Sequence, residues 1–177
     1  MTDDQKDPRG AERRLRRDYA PDADRPLVGY AGLMTAYAVG AGALAAAVRR
    51  KGAAAIGLTD LALITIATQR ASRTLAKDAV ASPLRAPVTR YEGQGLPSEV
   101  NEEVKPSAHG PARQIQHAIG ELVTCPFCLG QWVATGLVGS QLLAPRFTRA
   151  VTCTLAAATG ANALQFAYAA LERLGDS

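Results

Sequence analysis

Polar and apolar residues fall into long separate blocks along this chain. Residues 1–26 form a polar, basic tail, and an uncharged stretch of 22 residues then runs from Leu27 to Val48. A helix needs about 20 apolar residues to cross the hydrocarbon core of a bilayer, so this stretch is long enough to span one. The block pattern therefore predicts a membrane protein whose spans are separated by polar segments.

Three later segments extend this pattern. The predicted spans are residues 27–48, 53–70, 126–144 and 150–171. The second contains Asp60, and a carboxylate is costly in lipid. We expect Asp60 to lie near the headgroups or to cap a helix starting at Thr59 or Asp60; the alternative is a buried carboxylate that pairs with an arginine or conducts protons. Pro145 to Arg149 predict a tight turn before the fourth span.

The segments between and within the spans have their own patterns. Residues 91–111 are rich in Gly, Pro, Ser and Glu, which predicts a flexible loop. Residues 112–123 predict a short amphipathic helix. Gly32, Ala36 and Gly40 recur every four residues in the first span, which predicts a helix-packing face. In the fourth span, Asn162 and Gln165 predict hydrogen bonds between helices.

The predicted fold class is all-α: an integral membrane bundle of about four transmembrane helices. The basic tail is residues 1–26, the membrane helical domain is residues 27–177, and the central loop is cytoplasmic. Aromatic residues make up only 5% of the chain, whereas alanine and glycine dominate the apolar blocks. A soluble core normally holds more large side chains. The competing class is a soluble helical bundle with unusually small residues in its helices.

The charge distribution predicts the orientation. The chain has a net charge of +4, and no nucleic-acid motif or aromatic interleaving accompanies its arginines, so we expect no nucleic-acid partner. Basic residues concentrate in the tail and the central segment. Since cytoplasmic loops carry an excess of Lys and Arg, the prediction is a multi-pass protein of the cell membrane with both termini cytoplasmic. Its expected partners are the lipid bilayer and either a second copy or another membrane protein.

The chemistry of the chain centres on Cys125-Pro126-Phe127-Cys128, just before the third span. Proline is well accepted at the first position of a helix. The positive helix N-terminus then favours the thiolate of Cys125. The sequence therefore predicts a helix that begins at Pro126 with two sulfurs at its start.

Three interpretations of these cysteines remain open. In the structural one, Cys125 and Cys128 cap and pack the start of the third span. In the metal one, they supply half of a zinc site, because structural zinc takes four ligands; His109 and His117 complete the set, or a second chain does. In the redox one, the run is similar to the glutaredoxin active-site motif, although that motif follows a strand in a thioredoxin-like fold. No cofactor is predicted other than this zinc ion.

Three pieces of the chain resemble a known family. They are Leu61 to Asp78, Ser82 to Arg85 with the sequence Ser-Pro-Leu-Arg, and Glu121 to Trp132, which contains the Cys-Pro-x-Cys-x-Gly-x-Trp pattern. Together they resemble the domain of unknown function 1360 family, bacterial and phage proteins that are predicted to be membrane-associated. Some members are described as sporulation-related. The resemblance implies a class of protein and assigns no catalytic residue.

We therefore expect a bacterial membrane protein without enzymatic activity, acting as an assembly or interaction component. The alternative is a membrane thiol oxidoreductase, or a zinc-binding protein, that uses the Cys-x-x-Cys motif at Cys125 and Cys128.

Overall fold

The structure is a computed structural model that describes residues 10, 18–20, 25–105 and 110–175. Most of the predicted basic tail and the candidate zinc ligand His109 lie outside these residues. The described part is mostly helical. Its elements are α1 (Leu27–Lys51), α2 (Leu58–Lys77), a 3₁₀ turn (Ala79–Ala81), α3 (Ser82–Arg85), β1 (Thr89–Gln94), β2 (Val100–Val104), α4 (Pro111–Thr124), α5 (Pro126–Leu143) and α6 (Pro145–Gly175).

The four long helices run in alternating directions. Helix α2 packs between α5 and α6, and α1 packs against α4 and α5. Tyr37 of α1 meets Thr135 of α5. Further along both helices, the Ala54 N–H after α1 donates to the carbonyl of Leu142, 3.4 Å away, so α1 and α5 are parallel. This arrangement places the β-strands, α4 and the start of α5 at one end of the bundle, which we call the hairpin end.

Helix α2 begins five residues later than the predicted span at 53–70. The backbone N–H of Gly57 donates to a carboxylate oxygen of Asp60 at 3.3 Å. The other oxygen of Asp60 lies 3.9 Å from Nε of Arg149, the fifth residue of α6. Asp60 caps a helix start, as expected, but the helix begins at Leu58 rather than at Thr59 or Asp60. The contact with an arginine is present as well, although the Asp60 side chain is only partly buried. Carboxylates stabilise this position because the first-turn N–H groups have no partner within the helix.

The prediction of a tight turn at Pro145 to Arg149 is wrong. Only Ala144 separates α5 from α6, and these five residues already form the first helical turns of α6. The physical reason is Pro145, whose fixed φ suits the first position of a helix. Thr148 then returns its hydroxyl to the carbonyl of Ala144 at 3.1 Å.

The prediction of a flexible loop at 91–111 is also wrong for much of its length. Strands β1 and β2 pair antiparallel, with a register shift between Tyr91 and Gly93. The turn closes through the N–H of Gly95, which donates to the carbonyl of Glu99 at 3.0 Å. We call residues 78–105, which contain the 3₁₀ turn, α3 and the hairpin, the headpiece. The polar composition concealed the strands because they are held by backbone pairing and by a buried ion pair rather than by apolar side chains.

The interior of the protein is made of small and polar groups. Among the described residues the buried hydrophobic side chains are Ile64, Ala67, Ala76, Ala81 and Ala118. The largest fully buried side chains are those of Arg85, Thr148, Thr152 and Pro26. Large apolar residues lie on the outside instead, including Leu58, which is 87% exposed, and Leu164, which is 73% exposed. This distribution is inverted relative to a water-soluble domain.

The packing face of α1 differs from the predicted one. Gly32 and Gly40 of the predicted small-residue face have no atom near the position of an added Cβ. Gly29 is buried instead, and an added Cβ there would overlap the backbone carbonyl of Gln114 and lie 2.8 Å from Cβ of Ala118. Helix α1 therefore crosses α4 closely at Gly29, about one turn before the stripe that the spacing indicated.

Helices cover much of all four predicted spans, but the presence of a helix does not by itself establish that it crosses a membrane. In the part of the chain that the structure describes, α1 is long and apolar enough to cross a bilayer, and none of that apolar window is buried. The pair α4 and α5 passes the same criterion jointly but bends by 84° between its two helices. One or two such helices are weak evidence alone, since core helices and signal sequences share their length and composition. A four-span bundle is not confirmed.

Candidate functional site

The two neighbouring cysteines lie at the corner where α4 ends and α5 begins. Helix α5 begins at Pro126, as the sequence predicts, and Cys125 is its N-cap residue. The backbone N–H of Cys128 donates to Sγ of Cys125 at 3.3 Å, in the way that a serine or aspartate oxygen usually caps a helix. Cys125 therefore caps the start of α5, as the structural interpretation of the two cysteines expects.

The surroundings of Cys125 favour its thiolate. Burial alone raises the pKa of Cys125, but hydrogen bonds from the Cys128 side chain and from the backbone N–H groups of Cys128 and Phe127 lower it, as does the charge of Lys77. The balance leaves the pKa of Cys125 below its ordinary value. Lys77 ends α2, so two helices contribute to this effect: α5 with its N-terminus and α2 with its last side chain.

The site is open to its surroundings. Cys125 is half-buried, and Cys128 is exposed. Phe127 lies between them in the sequence and is 92% exposed. Cys153, on α6, is also exposed, and all three cysteines are free thiols.

The candidate zinc ligands are not assembled in the part of the chain that the structure describes. Nδ1 of His117 lies 3.0 Å from the carbonyl oxygen of Lys105, and Nε2 lies 3.7 Å from Glu121. Glu121 also accepts hydrogen bonds from Tyr30 and, at 3.2 Å, from Arg25. Within those residues no group of three or more His, Cys, Asp or Glu side chains is placed to hold a metal ion. Since His109 lies outside them, the four-ligand set stays a prediction.

A buried ion pair lies under the hairpin. Arg85, of which 1% is exposed, binds Glu102 through Nε at 2.9 Å and Nη2 at 3.0 Å. Its Nη1 donates to the carbonyl of Leu75 at 2.7 Å, at the end of α2. Ser82 and Thr89 donate their hydroxyls to the two carboxylate oxygens of Glu102, at 2.9 and 2.8 Å. This bidentate pair fixes β2 and α3 to the end of α2.

The ion pair also determines how Glu102 titrates. Burial raises the pKa of Glu102, whereas the hydrogen bonds from Arg85, Thr89 and Ser82 and the charge of Arg85 lower it. The net effect holds the pKa of Glu102 below its ordinary value of 4.5. A carboxylate with such partners remains ionised although it is buried.

A cleft of about 580 Å³ opens between α2, the headpiece and α6. On one side, Arg70 lies 3.5 Å from Asp78 and Arg73 lies 2.6 Å from Glu99. The other side is lined by residues of α6: Thr159, Asn162, Ala163, Gln165 and Phe166. The hydrogen bonds between helices predicted for Asn162 and Gln165 are not seen among the described residues; both residues line the cleft instead. Within this cleft the positive charges are matched by carboxylates.

The comparisons with known proteins identify the family. The family model whose description is "Protein of unknown function (DUF1360)" matches residues 63–168. The chain belongs to the DUF1360 family. The match begins inside α2, takes in the headpiece and the thiol site, and ends within α6; α1 lies outside it. Searches of the curated proteins and of the solved structures found no match.

Parts of the three pieces that carry the DUF1360 resemblance meet at the hairpin end, where the first piece ends at Lys77 and Asp78. Ser82 and Arg85 of the Ser-Pro-Leu-Arg piece hold Glu102, and Lys77 beside Asp78 contributes its charge at Cys125. Sequence analysis missed the partner Glu102. The turn sequence Gly-Leu-Pro-Ser was a signal for a chain reversal, but Val100 to Val104 has apolar residues only at its two ends and does not alternate as an amphipathic strand does.

Proposed function

We propose that this DUF1360 protein is a multi-pass protein of the cell membrane that acts in assembly or interaction with other membrane components. The observation that carries the proposal is the inverted distribution of side chains. Exposing apolar surface to water costs about 25 cal/mol for each Å², whereas lipid is as apolar as the side chains themselves. Small residues between the helices and large ones outside are what a bilayer favours.

The proposed crossings are α1, α2, α5 and α6, with the hairpin end and both termini in the cytoplasm. The exposed apolar side chains on α1, α2 and α6 support these crossings: Met34, Val39, Leu58, Leu61, Ile66, Leu164, Phe166 and Leu171. Helix α2 is the most polar crossing, with Asp60 near its start and Arg70 and Arg73 further on. It is also the helix that packs between two others, which limits its exposure to lipid.

Basic residues support the orientation. The tail and central segment hold Arg9, Arg13, Arg14, Arg16, Arg17, Arg25, Arg70, Arg73, Lys77, Arg85 and Arg90. The opposite end holds fewer: Arg49, Arg50, Lys51, Arg146 and Arg149. Cytoplasmic segments carry the excess of Lys and Arg, so the hairpin end is assigned to the cytoplasm.

An interaction role is supported by apolar side chains on the headpiece, outside the bundle. Val80 is 81% exposed, Leu84 71% and Tyr91 63%. A headpiece held rigidly at the membrane surface would present them to a second copy or to another membrane protein. Patches of this kind are typical of protein-binding surfaces.

Fractionation tests the membrane assignment. The full chain, expressed in bacteria, is expected to sediment with membranes, to resist an alkaline wash and to be released by detergent. Recovery in the soluble fraction without detergent would contradict the proposal.

Photo-crosslinking tests the interaction role. A photoreactive residue at Leu84 is expected to give one adduct of defined mass in membranes. The same residue at the exposed polar position Glu92 serves as the control. Two differently tagged copies of the chain distinguish a homo-oligomer from a heterologous partner. Equal labelling at both positions, or none at either, would count against a binding surface on the headpiece.

A further inference from the structure

The Cys-Pro-Phe-Cys corner has features that the membrane role does not use. Its two thiols lie within one helical turn, at the N-cap and third positions of α5. Sγ of Cys125 accepts the N–H of Cys128 at 3.3 Å. The side chain between them, Phe127, is 92% exposed. A capping residue needs no second thiol and no exposed aromatic beside it, so capping alone leaves these features unexplained.

We propose that Cys125 and Cys128 form a thiol–disulfide exchange site, in which Cys125 attacks a substrate disulfide and Cys128 resolves the mixed disulfide. The substrate class is a disulfide, either within a protein or in a small thiol compound, at the hairpin end of the molecule. The proposal goes beyond the membrane role and does not depend on it.

The exchange balances in two steps. The Cys125 thiolate forms a bond to one substrate sulfur, and the substrate S–S bond breaks; the other substrate sulfur leaves as a thiolate and takes a proton from solvent. Cys128 then gives its proton to solvent and attacks Sγ of Cys125. The Cys125–Cys128 disulfide forms, and the first substrate sulfur leaves and is protonated. Counted from the dithiol, whose Cys125 thiol first gives its proton to solvent, the protein loses two electrons and two protons, and the substrate disulfide becomes two thiols.

The geometry assigns the two roles. The sulfur of Cys125 lies at the start of α5 and accepts a backbone hydrogen bond there, and the charge of Lys77 reaches it from α2. Both interactions stabilise the thiolate that makes the first attack on the substrate disulfide. If exposure alone decided, Cys128 would be the attacking residue, because it is more accessible than Cys125. Exchange rates follow thiolate character as well as access, so the two assignments give opposite results in the trapping experiment below.

Trapping with glutathione disulfide tests the proposal on the full chain in detergent. Cys153→Ala removes the third thiol from the parent protein and from both single-serine variants. In this background Cys128→Ser is expected to accumulate one glutathione on Cys125. Cys125→Ser is expected to react at least about tenfold more slowly, because a less favoured thiolate remains. The parent with both thiols is expected to hold no adduct, to lose two hydrogen atoms and to release two glutathione molecules.

Two controls keep the result interpretable. A chain with Cys153 as its one thiol, made by Cys125→Ser and Cys128→Ser, gives the rate of an exposed helical thiol outside the corner. The oxidised parent, digested and analysed by mass spectrometry, reports the Cys125–Cys128 bond without any substitution in the corner. Equal rates for the two single-serine variants would overturn the assignment of roles. Failure of the parent to form this bond, or a bound zinc ion that protects both thiols, would overturn the exchange site itself.

Discussion

The helical bundle and the headpiece are stabilised in opposite ways. In the bundle, buried positions hold alanine, threonine and glycine, while leucine and phenylalanine lie outside. In the headpiece, the most buried large side chain is Arg85, held by Glu102 and by backbone carbonyls. The bundle is therefore held by close contacts between small residues of its helices, whereas the headpiece is held by a few directional polar bonds. This difference predicts two kinds of effect. A point substitution in the headpiece should unfold the headpiece locally, whereas one in the bundle should weaken the packing of one helix on another.

The largest effect is expected from Glu102→Ala. Removing one partner of a buried ion pair costs about 3–5 kcal/mol, because it leaves an uncompensated charge. We expect the hairpin to lose its protection in hydrogen exchange while the helices keep theirs. The matched control is Glu103→Ala, the neighbouring exposed carboxylate, for which little change is expected. Equal protection in both variants would show that the ion pair does not hold the headpiece.

Gly29→Ala tests docking in the bundle. The added methyl group meets the backbone carbonyl of Gln114, which cannot move as a flexible side chain does. Overpacking of this kind costs about 1–3 kcal/mol, so α1 should separate from α4 and thermal stability in detergent should fall. Gly32→Ala, three residues along the same helix, adds the same methyl group where no atom lies within 4 Å. A similar loss in both variants would point to helix α1 itself rather than to its contact.

Lowering the pH tests the ion pair of the headpiece without affecting the close helix contacts of the bundle. The pKa of Glu102 is lower in the folded protein than its ordinary value of 4.5. The ionised Glu102 side chain therefore contributes its full stabilisation above its ordinary pKa of 4.5. This stabilisation is lost as the pH falls through the lower pKa that Glu102 has in the folded protein. Hydrogen exchange of the hairpin, corrected for intrinsic rates, should show this loss below about pH 4.5. Glu102→Gln has no carboxylate to titrate and should show no such step.

The smallest effect is expected from Tyr37→Phe between α1 and α5. The Tyr37 hydroxyl lies 2.7 Å from Oγ1 of Thr135 and accepts from Nε2 of Gln131 at 2.8 Å. Hydrogen bonds between membrane helices contribute about 0.6 kcal/mol on average, so a small loss of thermal stability is expected. Tyr168→Phe removes an exposed hydroxyl on α6 and should be neutral. A loss above about 2 kcal/mol would exceed the largest values measured for such bonds and would require another cause.

Local sequence signals predicted what neighbouring residues determine. Pro126 after Cys125 marked the start of α5, and the carboxylate of Asp60 marked the start of α2. Each of these two helix starts is determined by residues within one helical turn of it. Pro145 carried the same kind of signal, and the charged residues around it concealed the start of α6.

Contacts between distant residues explain what sequence analysis missed. The hairpin depends on Arg85 and Glu102, which are 17 residues apart and both polar, so hydropathy gives no indication of their pairing. The packing face of α1 depends on where α4 crosses it, which the spacing of glycines in α1 alone does not reveal. At the thiol corner, the contribution of Lys77 comes from a helix that ends 48 residues before Cys125.

The position of α2 between α5 and α6 has a consequence for biogenesis. Both of its packing partners follow it in the chain, beyond the headpiece, so a ribosome completes α2 long before either partner exists. During that interval Asp60 has no Arg149 to meet, and the side of α2 that α5 and α6 later cover stays open. Since only Ala144 joins α5 to α6, we expect the two helices to pack against α2 as one unit. The last third of the chain would then close a bundle that the first two thirds leave unfinished.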